Sequence, residues 1–306
     1  MQRFLVIRFG RLLLTLLFVS LITFVMLRLM PGDPATVLAG EDATPEVIRD
    51  LRIKFGLDKP IVVQYGLYLE KAATGDLGQS IRSRSPVIEE VAARLPNTLR
   101  LAGLAVAVAF AIGILLGVVA AVREGKWQDV TILVIAMIGT SAPSFWVGLL
   151  LVLAFAVQLG LFPVAGNDSA LSIVLPAASL LPPSIAVIAR LTRSTMLDVL
   201  GEDYVRTALA KGASRSSVLW RHALRNALIP VVTMVGLEFA RLLGGVIAVE
   251  TIFAWPGVGK ALVDSISTRD YPMVQGIVLA FAVIFALTNL VVDIVNGVID
   301  PRVRAH

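Results

Sequence analysis

The chain has 306 residues, of which 57% are hydrophobic and only 16% are charged, and its mean hydropathy is +0.84. This composition excludes an ordinary soluble domain and favours a membrane protein. The formal charge of +5 does not indicate a nucleic-acid partner, because basic residues beside apolar spans set membrane orientation. The chain has no cysteine and two histidines, which excludes disulfides, cysteine nucleophiles and a histidine-built metal site.

Apolar runs of about 20 residues are long enough to cross the hydrocarbon of a bilayer as helices. They predict six transmembrane helices, at residues 12–27, 101–122, 130–167, 169–189, 226–249 and 271–292. The third run is longer than a span needs, and SAPSFW (Ser141 to Trp146) predicts a kink that leaves one span of about 25 residues. A cleaved signal peptide is an alternative for the first run. Because that run continues to Met30 without a small-residue cleavage pattern, we expect a retained anchor.

Lysine and arginine are concentrated on one side of these spans. The segment 190–225 carries seven, and the N-terminus, the 123–129 loop and the C-terminal tail carry more, whereas residues 158–170 carry none. By the positive-inside rule, both termini and the segment 190–225 are predicted to be cytoplasmic. The predicted fold class is therefore an all-α polytopic membrane protein.

The spans divide the chain into three predicted parts. Residues 1–30 form the N-terminus and first transmembrane helix, 31–96 an extracytoplasmic domain, and 97–306 a five-helix core that includes the cytoplasmic loop 191–225. Within the second part, the sequence predicts an amphipathic helix around Val62 to Ala73, followed by a Gly-Asp turn. The apolar face of that helix has to cover another element.

The charged stretch EDYVRTALAKG, Glu202 to Gly212, separates the fourth and fifth spans. Thr195 followed by Asp198 matches a capping box, which predicts that a short helix begins just beyond the fourth span. The apolar spacing from Asp203 to Lys211 predicts a second short helix.

Gly212 favours the left-handed conformation that ends a helix, and Ser214 can cap the helix that leads into the fifth span. A helix as short as the one before Gly212 is marginal in water. We therefore expect its face of tyrosine, valine and leucine to dock on a partner protein. A basic loop lying on anionic lipid headgroups is the alternative.

This stretch, with HALRNALIPVVT at His222 to Thr233, resembles the cytoplasmic EAA loop of permeases in binding-protein-dependent ABC importers. The match is to the dipeptide, oligopeptide and nickel branch. Where the general pattern has Glu-Ala-Ala, this chain has Arg206, Thr207 and Ala208, and His222 stands in place of an apolar residue. Other stretches that resemble this branch are RLMPGDP (Arg28 to Pro34), GLDKP with QY (Gly56 to Pro60, Gln64, Tyr65), GDLGQS (Gly75 to Ser80), ETIFAWPGVGKAL (Glu250 to Leu262) and RDYPMVQ (Arg269 to Gln275).

The resemblance implies a permease subunit, not an enzyme, in the inner membrane of a bacterium. It implies a heterodimer with a second, similar permease, two ATPase subunits or domains that bind ATP and magnesium, and an extracytoplasmic binding protein. The implied cargo is a dipeptide, oligopeptide or glutathione-like peptide, with nickel chelates or another small solute as the alternative. The implied ATPase-coupling residues are Glu202, Asp203, Tyr204, Arg206, Thr207, Ala208, Lys211 and Gly212.

Two ionisable residues, Glu238 and Arg241, interrupt the fifth span. Charged groups inside a membrane are costly and commonly mark a transport route. Our hypothesis is that they line the translocation path together with Ser141 and Pro143 at the predicted kink. The alternative is a self-neutralised pair packed against neighbouring helices.

The stretch PGVGK, Pro256 to Lys260, looks like a phosphate-binding loop but lacks the required glycine and hydroxyl residue at Ala254 and Ala261. The residues Trp255, Pro256 and Gly257 predict a sharp turn between the fifth and sixth spans, and the family resemblance implies an outer gate there. A proton-coupled secondary transporter is a remaining alternative. A membrane-embedded enzyme is disfavoured because the spans contain no reactive constellation.

Overall fold

The computed structural model describes residues 2–29, 34–39, 43–54 and 56–299. Residues 30–33 of the motif RLMPGDP and the C-terminal tail 300–306, both used above, lie outside these ranges. In chain order, the α-helices of the described residues are α1 (Gln2–Leu29), α2 (Pro34–Ala39), α3 (Pro45–Lys54), α4 (Ile61–Ala73), α5 (Val87–Val122), α6 (Trp127–Ser141), α7 (Ser144–Leu151), α8 (Val174–Leu200), α9 (Asp203–Ala210), α10 (Arg215–Ser217), α11 (Leu224–Ile252), α12 (Val258–Ser267) and α13 (Tyr271–Ile299).

Five continuous helical stretches are long and apolar enough to cross a membrane. They are Arg8–Leu29, Val87–Val122, Ala170–Leu200, Arg215–Ile252 and Tyr271–Val295. Each contains nearly all of one predicted span, and several extend well beyond it. With 36 residues, α5 is about 54 Å long, which exceeds the hydrocarbon thickness. The sequence prediction started this span too late because Arg94, Pro96 and Arg100 precede its uncharged part.

The third predicted span is broken where the sequence predicted a kink. Trp127–Ser141 and Ser144–Gln158 are inclined by 100°, and the break lies at Ala142 and Pro143. Pro143 caps α7, so its missing N–H costs no helical hydrogen bond there. With this bend, the stretch is either one broken span or a re-entrant loop, rather than a straight helix.

The chain forms two compact units, Met1–Thr98 with Pro256–Leu287 (unit 1) and Leu99–Trp255 with Thr288–His306 (unit 2). In unit 2, glycines let α5 approach α8 closely. A Cβ added to Gly113 would lie 2.7 Å from Cγ2 of Ile188, and one added to Gly117 would lie 2.6 Å from the carbonyl oxygen of Ala189. This small-x₃-small spacing is typical of close helix packing in membranes.

In unit 1, the predicted amphipathic helix is α4, and its polar and aromatic side chains lie along α1. The Tyr65 hydroxyl lies 2.9 Å from the hydroxyl of Ser20, and the guanidinium of Arg28 donates to Oε1 of Gln64 at 2.6 Å. Burial raises the pKa of Tyr68 to about 12. The element that α4 packs on is α1, but through polar and aromatic side chains. The aliphatic residues 61–63 remain exposed, so the expectation that the apolar face of α4 covers another element is not met there.

Two of the family-like motifs meet in unit 1. Asp270 of RDYPMVQ accepts hydrogen bonds from the hydroxyl of Ser80 in GDLGQS, at 2.5 Å, and from the N–H of Met273, which it caps at the start of α13. In the same unit, the hydroxyl of Thr98 accepts from the N–H of Val258 at 2.8 Å. Side-chain bonds thus join the start of α13 to Ser80, before α5, and the start of α12 to Thr98, in the first third of α5.

Candidate functional site

The segment predicted to be cytoplasmic and to dock on an ATPase forms a short helix with a defined end. Glu202 is the N-cap of α9, and Gly212 has φ +84°, in the left-handed region. The N–H of Gly212 donates to the carbonyl of Leu209, and that of Ala213 donates to the carbonyl of Ala208. This pair of bonds is the Schellman arrangement, which satisfies the last carbonyls of a helix. The predicted glycine end of α9 is present.

One side of α9 lies against its own chain. Val205 is only 3% exposed, and α9 packs on the π-helical turn Val218–Ala223. The expectation that valine belongs to the docking face is therefore wrong, because its side chain is already covered. Tyr204 and Leu209 remain about two-fifths exposed, as expected of residues that face a partner.

The other predicted coupling residues lie around this exposed side. Ala208 is half-buried, and the remaining ones are exposed: Glu202, Asp203, Tyr204, Arg206, Thr207, Lys211 and Gly212. Arg206 lies 3.7 Å from the carboxylate of Asp203, but both side chains are solvated, so this ion pair contributes little to stability. The guanidinium and the carboxylate are therefore available to a partner.

A side-chain hydrogen bond links the exposed side of α9 to the start of the fifth span. The amide of Asn226 donates to the hydroxyl of Tyr204 at 2.7 Å. Asn226 belongs to α11. A displacement of Tyr204 would therefore pull on α11 through this hydrogen bond.

An apolar cluster holds the base of this segment. Met196 is fully buried against Val118 and Ala121 of α5 and Ala223 and Ala227 near the start of the fifth span. Such packing is close and rigid, so the ends of three helices move together.

Of the two helix caps predicted from the sequence, one is present and the other is not. Ser214 accepts from the N–H of Ser217 and caps α10, as predicted. The capping box at Thr195 is wrong: α8 continues unbroken to Leu200, and the Thr195 hydroxyl donates back to the carbonyl of Leu191 at 3.0 Å. A threonine hydroxyl can bond to its own helix in this way, which removes the need for a new N-terminus.

The predicted path residues fall into two groups. Glu238 is 4% exposed and accepts from Ser184 at 3.1 Å and from Arg241 at 2.6 Å, whereas the Arg241 side chain is 51% exposed. Ser141 and Pro143 are exposed at the bend, where Gly139 packs on the carbonyl of Pro182. Of this set, the structure therefore brings together Glu238 and Arg241, and within this pair the arginine is the open member.

The predicted outer gate leads into a helix rather than directly into the sixth span. Trp255 is 3% exposed, and its N–H donates to the carbonyl of Glu250 at 2.8 Å. The carbonyl of Pro256 accepts from the amide of Asn97 at 3.0 Å, and Gly257 is the N-cap of α12. Hydrogen bonds therefore hold this turn on both sides of Pro256.

Sequence reasoning missed one charged pair near the coupling segment. Asp129, in the first turn of α6, forms two hydrogen bonds with Arg193 of α8. The sequence signal for this pair was that Asp129 directly precedes the third predicted span and Arg193 follows the fourth, which places both on the same side of the membrane. That signal is weak, because the two residues are far apart in sequence and no local spacing pattern links them.

Within the described ranges, no group of three histidine, cysteine or acidic residues could hold a metal ion. The described structure is that of a helical protein with several apolar helices long enough to cross a membrane and a short amphipathic helix, α9, between two of them. This is the arrangement expected of a multi-pass transport permease.

Comparison with known families supports this class. Residues 113–305 match the binding-protein-dependent transport system inner membrane component, and residues 1–102 match the N-terminal part of such membrane components. The chain belongs to this family, so it is a multi-pass permease subunit of the inner membrane and not an enzyme. Membership implies that it works with a binding protein, an ATPase and a second permease.

Two curated relatives are similar over nearly their full length. The chain is 46% identical over 290 residues to the glutathione transport system permease protein GsiC of Escherichia coli (strain K12), covering 95% of each chain. It is 46% identical over 297 residues to a putative peptide transport system permease protein of Brucella abortus (strain 2308), covering 94% of this chain and 95% of the relative. A solved amino acid ABC transporter with histidines has a TM-score of 0.48 at 19% identity, covering 70% of this chain and 94% of that chain, and so distant a likeness supports no inference.

Proposed function

We propose that this permease imports peptides, including glutathione-like peptides, as one half of a heterodimer with a similar permease. Two ATPase subunits or domains bind ATP and magnesium, and an extracytoplasmic binding protein delivers the cargo. This chain binds no cofactor. The cargo class is supported by the two relatives that are 46% identical, one named for glutathione and one for peptide transport.

The observation that carries the coupling role is the two-sided character of α9. Val205 fixes one side to the chain, while Tyr204, Arg206 and Thr207 remain exposed on a helix with a defined glycine end. ATP-driven closure of the ATPases displaces this helix, and the packed helix ends transmit the motion to the spans. A basic loop that only rests on lipid headgroups would not need a helix with one packed side and a defined glycine end.

For the translocation path, we propose that Arg241 rather than Glu238 faces the cargo. Glu238 is covered and neutralises the arginine, whereas half of the Arg241 side chain is open at membrane depth. An exposed guanidinium can bind the terminal carboxylate of a peptide. We retain Ser141 and Pro143 as path residues at the bend, and Trp255, Pro256 and Gly257 as the outer gate.

The domain plan and orientation complete the proposal. Residues 1–30 form the N-terminus and first span, 31–96 lie outside the cell membrane, and 97–306 form the core with its cytoplasmic loop 191–225, so that both termini are cytoplasmic. Because the chain has no cysteine, single cysteines report this directly. Leu209→Cys should react with an impermeant maleimide only after permeabilisation, whereas Asn167→Cys should react in intact cells. The opposite pattern would reject the orientation.

The functional test uses the complete transporter in proteoliposomes. We expect uptake of labelled glutathione or a dipeptide that requires ATP and the binding protein. Replacing Tyr204 and Arg206 with alanine should leave membrane insertion intact and abolish uptake and ATPase stimulation. Transport without ATPase subunits would instead favour a secondary transporter, and uptake of a nickel chelate alone would reject the peptide assignment.

A further inference from the structure

The start of α6 and the last third of α8 are joined by an ion pair whose carboxylate is buried and whose arginine side chain is 22% exposed. Asp129 is 2% exposed, and its two carboxylate oxygens accept from Nε and Nη2 of Arg193 at 2.6 and 2.7 Å. The same carboxylate accepts from the N–H of Gly125 at 3.0 Å, in the loop before α6. A two-pronged contact of this kind fixes direction as well as distance between its partners.

Stability alone does not account for this pair. Replacing a buried ion pair by packed apolar residues of similar volume is often neutral or stabilising, although removing only one partner is strongly destabilising. What an apolar pair lacks is the fixed direction of the two hydrogen bonds. The arrangement therefore favours a role in orienting the two helices.

The pair marks one end of the contact between α6 and α8. At the other end, Gly139 of α6 lies against the carbonyl of Pro182, directly before the 100° bend. Along the contact between the two helices, a partly open apolar pocket of about 460 Å³ is lined by residues of both, including Ile132, Ile135 and Ala189. Gly139 and Pro182 line the same pocket. Apolar packing does not fix direction, so the Asp129–Arg193 pair adds a directional contact at one end of this helix pair.

The position of Arg193 connects this contact to the coupling segment. Beyond Arg193, α8 continues for seven residues to Leu200, which is about 10 Å of helix, and α9 begins at Asp203. Arg193 therefore joins the base of the α8 extension that leads to α9 to the first turn of α6.

We propose that the Asp129–Arg193 pair is a positioning element that transmits displacement of the coupling helix α9 to the broken third span. This inference rests on the proposed function, because it requires ATP-driven displacement of α9. When the α8 extension moves, Arg193 pulls on Asp129 in the first turn of α6. The helix α6 then transmits this displacement to the bend at Ala142 and Pro143.

The first test replaces the pair as a unit, with Asp129→Leu and Arg193→Met together. This double variant keeps the site neutral and packed, so the transporter is expected to assemble. In proteoliposomes that contain the complete transporter, uptake and binding-protein-stimulated ATPase should fall about tenfold or more, within the usual range of coupling between sites. Arg193→Lys, which keeps the charge but loses the two-pronged contact, should fall between this variant and the wild type.

The matched control is Asp264→Asn, which breaks the exposed Lys260–Asp264 pair on α12. It should leave uptake unchanged. Wild-type uptake by the apolar double variant would overturn the proposal. So would failure of that variant to assemble, because the pair would then be needed for folding.

The second test measures motion, using nitroxide labels on introduced cysteines at exposed positions. Leu115→Cys with Asp198→Cys reports the α8 extension, and Leu115→Cys with Met137→Cys reports α6. In the wild type, vanadate trapping with ATP should change both distances. In the apolar double variant, only the first should change. If both still change there, the pair transmits nothing. If neither changes in the wild type, the proposed ATP-driven function fails instead.

Discussion

Replacing Gly212 with valine isolates the backbone conformation that ends α9. Gly212 has φ +84°, and an ideal Cβ built on it meets no atom within 4 Å. The substitution therefore creates no clash, and its cost is the left-handed conformation itself, roughly 1–2 kcal/mol for an L-residue. That cost lowers the fraction of molecules in which α9 ends in the Schellman arrangement roughly 5- to 30-fold. We expect ATPase stimulation and uptake to fall by a similar factor while the chain still inserts into the membrane.

The control for this change is Gly160→Val. Gly160 also has a positive φ, +61°, and open space around its Cβ, but it follows the π-helical turn Val152–Gln158 rather than α9. Gly212→Asn should retain much of the activity, because asparagine tolerates the left-handed region. Stimulated ATPase activity is measured in nanodiscs for all three variants. Normal stimulation in Gly212→Val, or an equal loss in Gly160→Val, would refute the reasoning.

Three further outcomes follow from packing and charge, each read from thermal unfolding of the purified chain in detergent. Arg241→Gln leaves a buried carboxylate without its cation and should lower the free energy of unfolding by about 2 kcal/mol; an unchanged midpoint contradicts the pairing. Gly117→Ile places a Cβ 2.6 Å from a backbone oxygen and should cost about 1–3 kcal/mol, whereas Gly103→Ile on the same helix, with nothing within 4 Å, should be tolerated. Asp270→Ala removes both the acceptor of Ser80 and a helix cap, with an expected loss of about 1 kcal/mol.

The features that sequence could predict are those that depend on local chemistry. Spans follow from unbroken apolar runs, and the break at Pro143 follows from its fixed φ and missing N–H. The end of α9 follows from Gly212, because glycine enters the left-handed region without steric cost. Each of these predictions is confirmed because tertiary contacts do not oppose the local preference.

The features that sequence could not predict depend on which helices are neighbours. Val205 and Tyr204 occupy adjacent positions, and only packing against Val218–Ala223 buries the first and leaves the second exposed. Thr195 has a local capping pattern, but its neighbour Met196 is buried in a cluster that holds α8 helical. The Asp129–Arg193 pair joins residues 64 positions apart, and no spacing rule indicates it.

The stretches that identify the family do not all have one kind of role. GDLGQS and RDYPMVQ are joined by the bond between Ser80 and Asp270, which caps a helix and holds unit 1 together. Trp255 is buried, and the carbonyl of Pro256 is bonded to Asn97, so the gate we propose can open only if this bond breaks or the residues that carry it move as one body. By contrast, Tyr204, Arg206 and Thr207 remain exposed. Exposure, rather than membership of a recognisable motif, therefore separates the surface that we propose awaits a partner from the contacts that hold the fold.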